Sequence, residues 1–383
     1  MNIIRRAISI FLIVVVMGGV VYIDQRQTEL SEGASRGIVS MAGFPHSIKS
    51  NRISSSWFCP GAAAGDGLDS ASVFISNPSD TAITAAVSFL SNSPMESQTV
   101  EVPARNHSVV DVLRGRTVGV IVPVVEIIGS VGTVEQQLTY AAGDVTSQCV
   151  SQTSSTWYFA DGFTAQGSSQ RLVLTNPYPE SAVVNVAYVT KEGKRRPTGL
   201  QGLILGPRTS RSLSLAEFGA TDESSIALEV EATTGQIIAS RMQHYLGGGR
   251  LGYSTTIGIP VALNEWWFAA GRTGPQVSER LVVFNPSASL AQVNVSFFGE
   301  GITNGTIIDE NASAAAPSAT VDIPAGAVLL INTDDLADLP KGEHAMVVSS
   351  IGKVPVVVEH VLSQITGGSS FTAITNGVPA ALA

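Results

Sequence analysis

Thr156-Trp157-Tyr158-Phe159-Ala160-Asp161-Gly162 is the stretch from which the rest of the chain can be read. Two related blocks flank it, Ser56-Trp57-Phe58-Cys59 and Glu265-Trp266-Trp267-Phe268-Ala269-Ala270-Gly271. Their leading tryptophans, Trp57, Trp157 and Trp266, stand 100 and then 109 residues apart. Each block is followed by an apolar run that ends in Asn-Pro, at Asn77-Pro78, Asn176-Pro177 and Asn285-Pro286. Ten residues past each asparagine lies an alternating stretch centred on Val87/Phe89, Val186/Tyr188 or Val295/Phe297. A proline-bearing turn comes next, at Val102-Pro103-Ala104-Arg105, Gly206-Pro207-Arg208 and Ile323-Pro324-Ala325-Gly326. Matched blocks in the same order at matched offsets define an internal repeat of roughly 100 residues.

Short runs of Val, Ile, Thr and aromatic residues, punctuated by turn residues, predict antiparallel strands. Helical periodicity is missing apart from a turn near Leu213 to Phe218. The expected fold is all-β, with three tandem Ig-like sandwich repeats at residues 56–154, 155–263 and 264–383. A six-bladed propeller, with two blades per unit, is the alternative. The second half of each unit does not resemble the first, which favours sandwiches. In that frame Trp57, Trp157 and Trp266 fill the cores, each with its N–H satisfied nearby. Proline stops a strand because it cannot donate to the ladder, and the asparagine before it caps the turn with its own side chain. The third copy carries a polar insertion, Ile302 to Pro317, read as a loop and a candidate contact surface.

Outside the repeats the amino terminus is the most informative part. Residues 1–6 carry Arg5 and Arg6, and residues 7–23 are uncharged and dominated by Ile, Leu, Val, Phe and Met. As a helix that run would rise about 25 Å, at the short end of what spans a bilayer core. It ends in bulky residues, Val20-Val21-Tyr22-Ile23, where a cleavage site needs small ones, so it is read as an uncleaved signal anchor. Basic residues before it and Asp24, Glu29 and Glu32 after it place the N-terminus in the cytoplasm and the bulk outside. Residues 24–55 lack periodicity and read as a flexible tether.

Composition excludes several classes. Of 383 residues, 14% are charged, with 22 Lys plus Arg against 31 Asp plus Glu, a net charge of −9. No basic footprint for nucleic acid exists. Two cysteines cannot build a multi-cysteine zinc framework. Cys59 and Cys149 fall at the two ends of the first repeat and, in an exported chain, are expected to form a disulfide. Closing a loop of about 90 residues is worth roughly 4.6 kcal/mol on chain-entropy arithmetic. No nucleophile elbow, phosphate loop or zinc-protease helix motif occurs. The histidines show no ligand spacing, so no catalytic, metal or cofactor residues are assigned. Arg171 and Arg280 correspond between copies, as do Arg105 and Arg208, and are expected to pair with acidic groups inside each repeat. Trp266 and Trp267 are the candidate glycan contact, since a paired aromatic platform suits sugar stacking.

The Trp157-Tyr158-Phe159-Ala160-Asp161-Gly162 block, the strand ending Asn176-Pro177 and the Cys59-Pro60 opening resemble an uncharacterised actinobacterial family of single-pass, exported β-repeat proteins. That resemblance implies a cell-envelope setting, sometimes beside a glycosyltransferase, and no activity. The third copy departs from the pattern, with Ala270 in place of the acidic residue and His360 where the second copy has Arg241. The expected function is therefore a non-catalytic, membrane-anchored extracytoplasmic scaffold or accessory subunit of an envelope complex. A cell-wall glycan-binding module is the alternative. Expected partners are an envelope or membrane protein, with a glycosyltransferase or wall glycan as candidates, and no nucleic acid.

Overall fold

Along Leu68–Asn77 the buried positions are Ala71, Val73, Ile75 and Asn77, with half-buried residues between them. This two-residue period of a strand with one face on a core recurs through the chain. The computed structural model describes residues 54–65, 67–93, 96–129, 132–299, 318–336, 342–366 and 369–380. The expected anchor at 7–23, the tether up to residue 53 and the insertion at 302–317 lie outside the described residues. Among the described residues no helix is long and apolar enough to cross a membrane.

The chain is all-β. Its first segment holds β1 (Ser54–Phe58), β2 (Ala62–Ala64), β3 (Leu68–Asn77), β4 (Ile83–Leu90), β5 (Gln98–Val102), β6 (Asn106–Asp111), β7 (Gly119–Ile128), β8 (Thr133–Tyr140) and β9 (Gly143–Gln148). The second holds β10 (Thr156–Phe159), β11 (Ser169–Asn176), β12 (Ala182–Thr190), β13 (Gly193–Arg195), β14 (Leu203–Leu205), β15 (Thr209–Ser214), β16 (Ala227–Thr234), β17 (Ile238–Gly247) and β18 (Arg250–Ile257). The third holds β19 (Glu265–Thr273), β20 (Val277–Phe284), β21 (Ala291–Phe298), β22 (Ser318–Ile323), β23 (Val328–Asn332), β24 (Gly342–Ser350), β25 (Val357–Thr366), β26 (Ser369–Asn376) and β27 (Val378–Pro379). The turn expected near Leu213–Phe218 is a short 3-10 helix, Leu215–Phe218.

Among the described residues all strand pairs are antiparallel and no sheet closes on itself. One set of sheets runs β1-β7-β4-β5, then β10-β16-β12 with β13 and β14 both on β12, then β27-β19-β24-β21-β22. The other set runs β6-β3-β8-β9, β15-β11-β17-β18 and β23-β20-β25-β26. Within the first segment Trp57, Val87, Phe89 and Val125 of one sheet share an apolar cluster with Val73, Ile75 and Leu138 of the other. In the second, Trp157, Val186 and Val230 meet Leu172, Leu174 and Ala239 in the same way. That second cluster also takes in Phe58, Val122, Val124 and Val150, so the outer face of the β1-β7-β4 sheet is buried against the following segment.

The core tryptophan bonds within its own strand in the first segment and toward the facing sheet in the other two. Trp57 Nε1 donates to Ser55 Oγ, Trp157 Nε1 to the Ile237 carbonyl at 3.0 Å, and Trp266 Nε1 to the Val356 carbonyl at 2.9 Å. Cys59 and Cys149 form a disulfide whose Cα atoms are 4.2 Å apart. At the matching places the other segments have an aromatic ring over a glycine: a Cβ on Gly258 would lie 2.9 Å from Phe159, and one on Gly377 2.8 Å from Phe268. A covalent bond in the first segment thus occupies the place of ring-on-backbone packing in the other two.

The asparagine of each Asn-Pro pair does more than cap its own turn. Asn77 Nδ2 reaches the carbonyls of Thr81, Val102 and Pro103, while its Oδ1 accepts from Ser79. Asn176 reaches Glu180, Leu205 and Gly206, and Asn285 reaches Ser289, Ile323 and Pro324. Each amide ties the Asn-Pro turn to the proline-bearing turn some 25–39 residues on. The correspondence of Arg105 and Arg208 also has a backbone cause. Both have positive φ, 52° and 50°, and the third segment places Gly326 there at 65°. Their N–H groups bind the carbonyls of Ser79, Tyr178 and Ser287 respectively. Arg105 additionally pairs with Asp80 at 2.8 Å on the surface.

Candidate functional site

One interior position carries different chemistry in each segment. Opposite Val73, Leu172 and Leu281 in the strand register stand Gln136, Arg241 and His360. All are buried. In the first segment the Gln136 amide brackets Gly61, accepting its N–H at 3.0 Å and donating to its carbonyl at 2.5 Å. Both polar groups are neutral, and nothing further is needed.

In the second segment the slot is ionic. Arg241 donates to the Asp161 carbonyl, to Thr256 Oγ1 at 3.1 Å, and to Glu359 of β25 at 2.9 and 3.4 Å. Glu359 also accepts the Asp161 backbone N–H at 2.7 Å. The Asp161 carboxylate takes Arg250 Nη1 at 2.8 and 2.9 Å and the Tyr245 hydroxyl at 3.2 Å. Arg241 lies over the Phe159 ring at 5.3 Å and Arg250 over Phe163 at 5.2 Å. Asp161, Arg241, Arg250 and Glu359 are all 0% exposed. Two cations and two anions sum to zero, which is the condition for keeping charges out of water.

The carboxylates respond in opposite directions. Burial would raise Asp161, but Arg250 and Arg241 outweigh it and hold its carboxyl below the usual range. Burial raises Glu359 against the pull of Arg241, and the neighbouring Asp161 charge adds to the rise. Glu359 accepts three hydrogen bonds and donates none, so the geometry serves its ionised form. Arg241, although buried, is held more firmly charged by Glu359 and Asp161.

In the third segment Ala270 stands where Asp161 did, and His360 turns to a different carboxylate. Glu279 Oε1 lies 2.8 Å from His360 Nε2 and Glu279 Oε2 lies 2.8 Å from His344 Nε2. The Arg272 N–H donates to Glu279 Oε1 at 3.0 Å. Gly271 makes the space, since a Cβ there would come within 2.5 Å of both Glu279 and His344. Burial pushes Glu279 up, but the hydrogen bonds and charges of His344 and His360 bring it down to about 2. The imidazoles address different oxygens of one carboxylate rather than a common point. Among the described residues no group of three His, Cys, Asp or Glu is arranged to hold a metal ion.

The candidate glycan pair is split by the structure. Trp266 is fully buried and offers no ring face to a ligand, because odd and even positions of β19 face opposite ways. Trp267 is 45% exposed, with its indole N–H on Glu265 Oε1 at 2.7 Å. Sequence reading missed the partners Glu279, Arg250 and Glu359. Glu359-His360 sits inside the apolar run Val356 to Val361, where both faces of a strand are aliphatic, and that was the available signal.

What the geometry defines is an all-β chain of open antiparallel sheets, with polar slots sealed inside and between them. Residues 125–249 match a family described as "Family of unknown function (DUF5719)". No curated protein matches the chain. Among solved structures, Thermotoga maritima 1070 is similar at 16% identity and a TM-score of 0.25, over 30% of this chain and 94% of that one. A Streptomyces avermitilis alpha-L-rhamnosidase complexed with L-rhamnose is similar at 12% identity and a TM-score of 0.19, over 86% of this chain and 43% of that one. Neither likeness carries an argument about fold or activity.

Proposed function

We propose that this protein is a non-catalytic scaffold or accessory subunit of a cell-envelope complex. In this reading residues 7–23 anchor it in the membrane, the N-terminus is cytoplasmic, and three tandem Ig-like sandwich repeats (56–154, 155–263, 264–383) stand outside. The observation that carries it is how the segments are joined. Ser240 Oγ of the second donates to the Pro60 carbonyl of the first at 2.6 Å, and Glu359 of the third accepts from Asp161 of the second. Ser240 and Glu359 occupy matching places, each one residue before the slot residue on β17 and β25. Buried hydrogen bonds at both junctions favour a stiff rod over beads on a string, and stiffness suits a spacer that presents a partner at a set distance. The interleaved strand order, β6-β3-β8-β9, supports sandwiches over propeller blades.

Crosslinking in intact cells, followed by affinity purification in mild detergent and mass spectrometry, tests the reading. A single stoichiometric membrane partner supports it. Loss of no envelope complex on deletion, or turnover of a substrate by the purified chain, overturns it. The exposed Trp267 ring favours a second reading, glycan binding, which recovery of wall polymer without a protein partner would support.

A further inference from the structure

The face that mates twice inside the chain is left open a third time. Phe58, Tyr158 and Trp267 each follow the core tryptophan of their segment, and each is paired across the sheet with Val124, Glu229 and Val347 respectively. On the other side they meet Val150, Ile259 and Val378. Phe58 is 7% exposed and Val150 1%, because both join the core cluster of the second segment. Tyr158 packs 6.2 Å from Phe284 of the third segment, and Ile259 is 0% exposed. Trp267 and Val378 are instead 45% and 48% exposed. Beside them Ala269 and Ala270, exposed at a bulge in β19, correspond to Pro60-Gly61 and Ala160-Asp161, the residues that meet Ser240 and Glu359. In stacked-repeat proteins an end face is normally polar. This one is apolar at its centre.

The complementary face exists at the other end of the same chain. In the second and third segments the receiving sheet presents Val173 with Ser240 and Val282 with Glu359, all buried in a junction. The first segment has Phe74 and Glu135 at those places, and Val109 beside Phe74 in the register. Phe74 is half-buried, Val109 is 52% exposed and Glu135 is exposed. We infer that a second copy of this chain is the occupant, its first segment seated on the Trp267 face of the third. Phe74 and Val109 then cover Trp267 and Val378, and Glu135 takes the position of Glu359, toward the Ala269-Ala270 backbone. The contact is head-to-tail, so it does not close on itself as an isologous dimer does.

The test uses the full-length purified chain. Glu135→Cys and Ala270→Cys, both at exposed positions, are made singly and together. On mild oxidation, an equimolar mixture of the single variants gives a Glu135→Cys/Ala270→Cys heterodimer, and the double variant gives a ladder of covalent multimers. Sedimentation velocity shows concentration-dependent assembly that Trp267→Glu weakens by roughly thirtyfold or more, the effect of losing one aromatic anchor. Two results overturn the inference. One is a wild-type chain that stays monomeric with no heterodimer formed. The other is assembly lost in Trp267→Glu but without the cross-link, which would mean a face-to-face contact or another partner on that surface.

Discussion

Replacing Glu359 with alanine removes the acceptor of three hydrogen bonds at once: from the Asp161 N–H at 2.7 Å and from Arg241 at 2.9 and 3.4 Å. Arg241 keeps the Asp161 carbonyl and Thr256, but the fully buried cluster changes from neutral to a net single positive charge. Breaking a buried pair by deleting one partner costs about 3–5 kcal/mol. Urea unfolding followed by tryptophan fluorescence reads it well, since Trp157 and Trp266 are buried on either side of the junction. With an m-value of about 2–3 kcal/mol/M the midpoint falls by roughly 1–2 M. The double variant Arg241→Met/Glu359→Leu removes both charges and is expected within about 1 kcal/mol of the wild type, because paired buried ions are often matched by apolar replacements. A Glu359→Ala chain that loses less than about 1 kcal/mol, or a double variant as unstable as the single one, refutes the clamp.

Other expectations follow from separate parts of the fold. Losing the disulfide lowers stability by about 2–5 kcal/mol in the first segment: the wild-type midpoint falls when reductant is added, while that of Cys59→Ser is already low and does not respond to reductant. Asn285→Ala strands the carbonyls of Ile323 and Pro324, and costs about 1–3 kcal/mol by denaturant titration. Acid acts through Glu279. Its folded pKa of about 2 lies below the ordinary 4.5, so the stability it contributes is present above pH 4.5 and lost as pH falls toward 2. The shift corresponds to about 3 kcal/mol, and Glu279→Gln should flatten the stability profile over that window.

The recurring core tryptophans and Asn-Pro turns are legible because they are written in backbone and packing requirements. Trp followed about twenty residues later by Asn-Pro marks a core filler and a turn staple, and each has to recur wherever the same connectivity recurs. What was not legible is how the copies differ inside. Gln136, Arg241 and His360 share a register but no chemistry, so comparing the copies hides their kinship. Trp266 and Trp267 look like one platform in the sequence, although adjacent strand residues face opposite sides and only one of them reaches the surface. Arg105 does pair with Asp80, as its charge suggests, but what it shares with Arg208 is a left-handed turn position, which the third segment fills with Gly326. The junction partners lie far apart in sequence, as Asp161 and Glu359 do, and no local pattern brings them together.

The slot beneath each first strand also limits how this chain can be rearranged. Copies that share an outline invite shuffling by duplication or deletion. Removing the second segment, however, would set Glu359 against Pro60-Gly61, where Gln136 already uses both polar groups of Gly61 and no arginine waits. The order of the modules is therefore encoded in their interiors rather than in their linkers. A chain that set the third copy directly after the first would bury Glu359 with no cation to meet it.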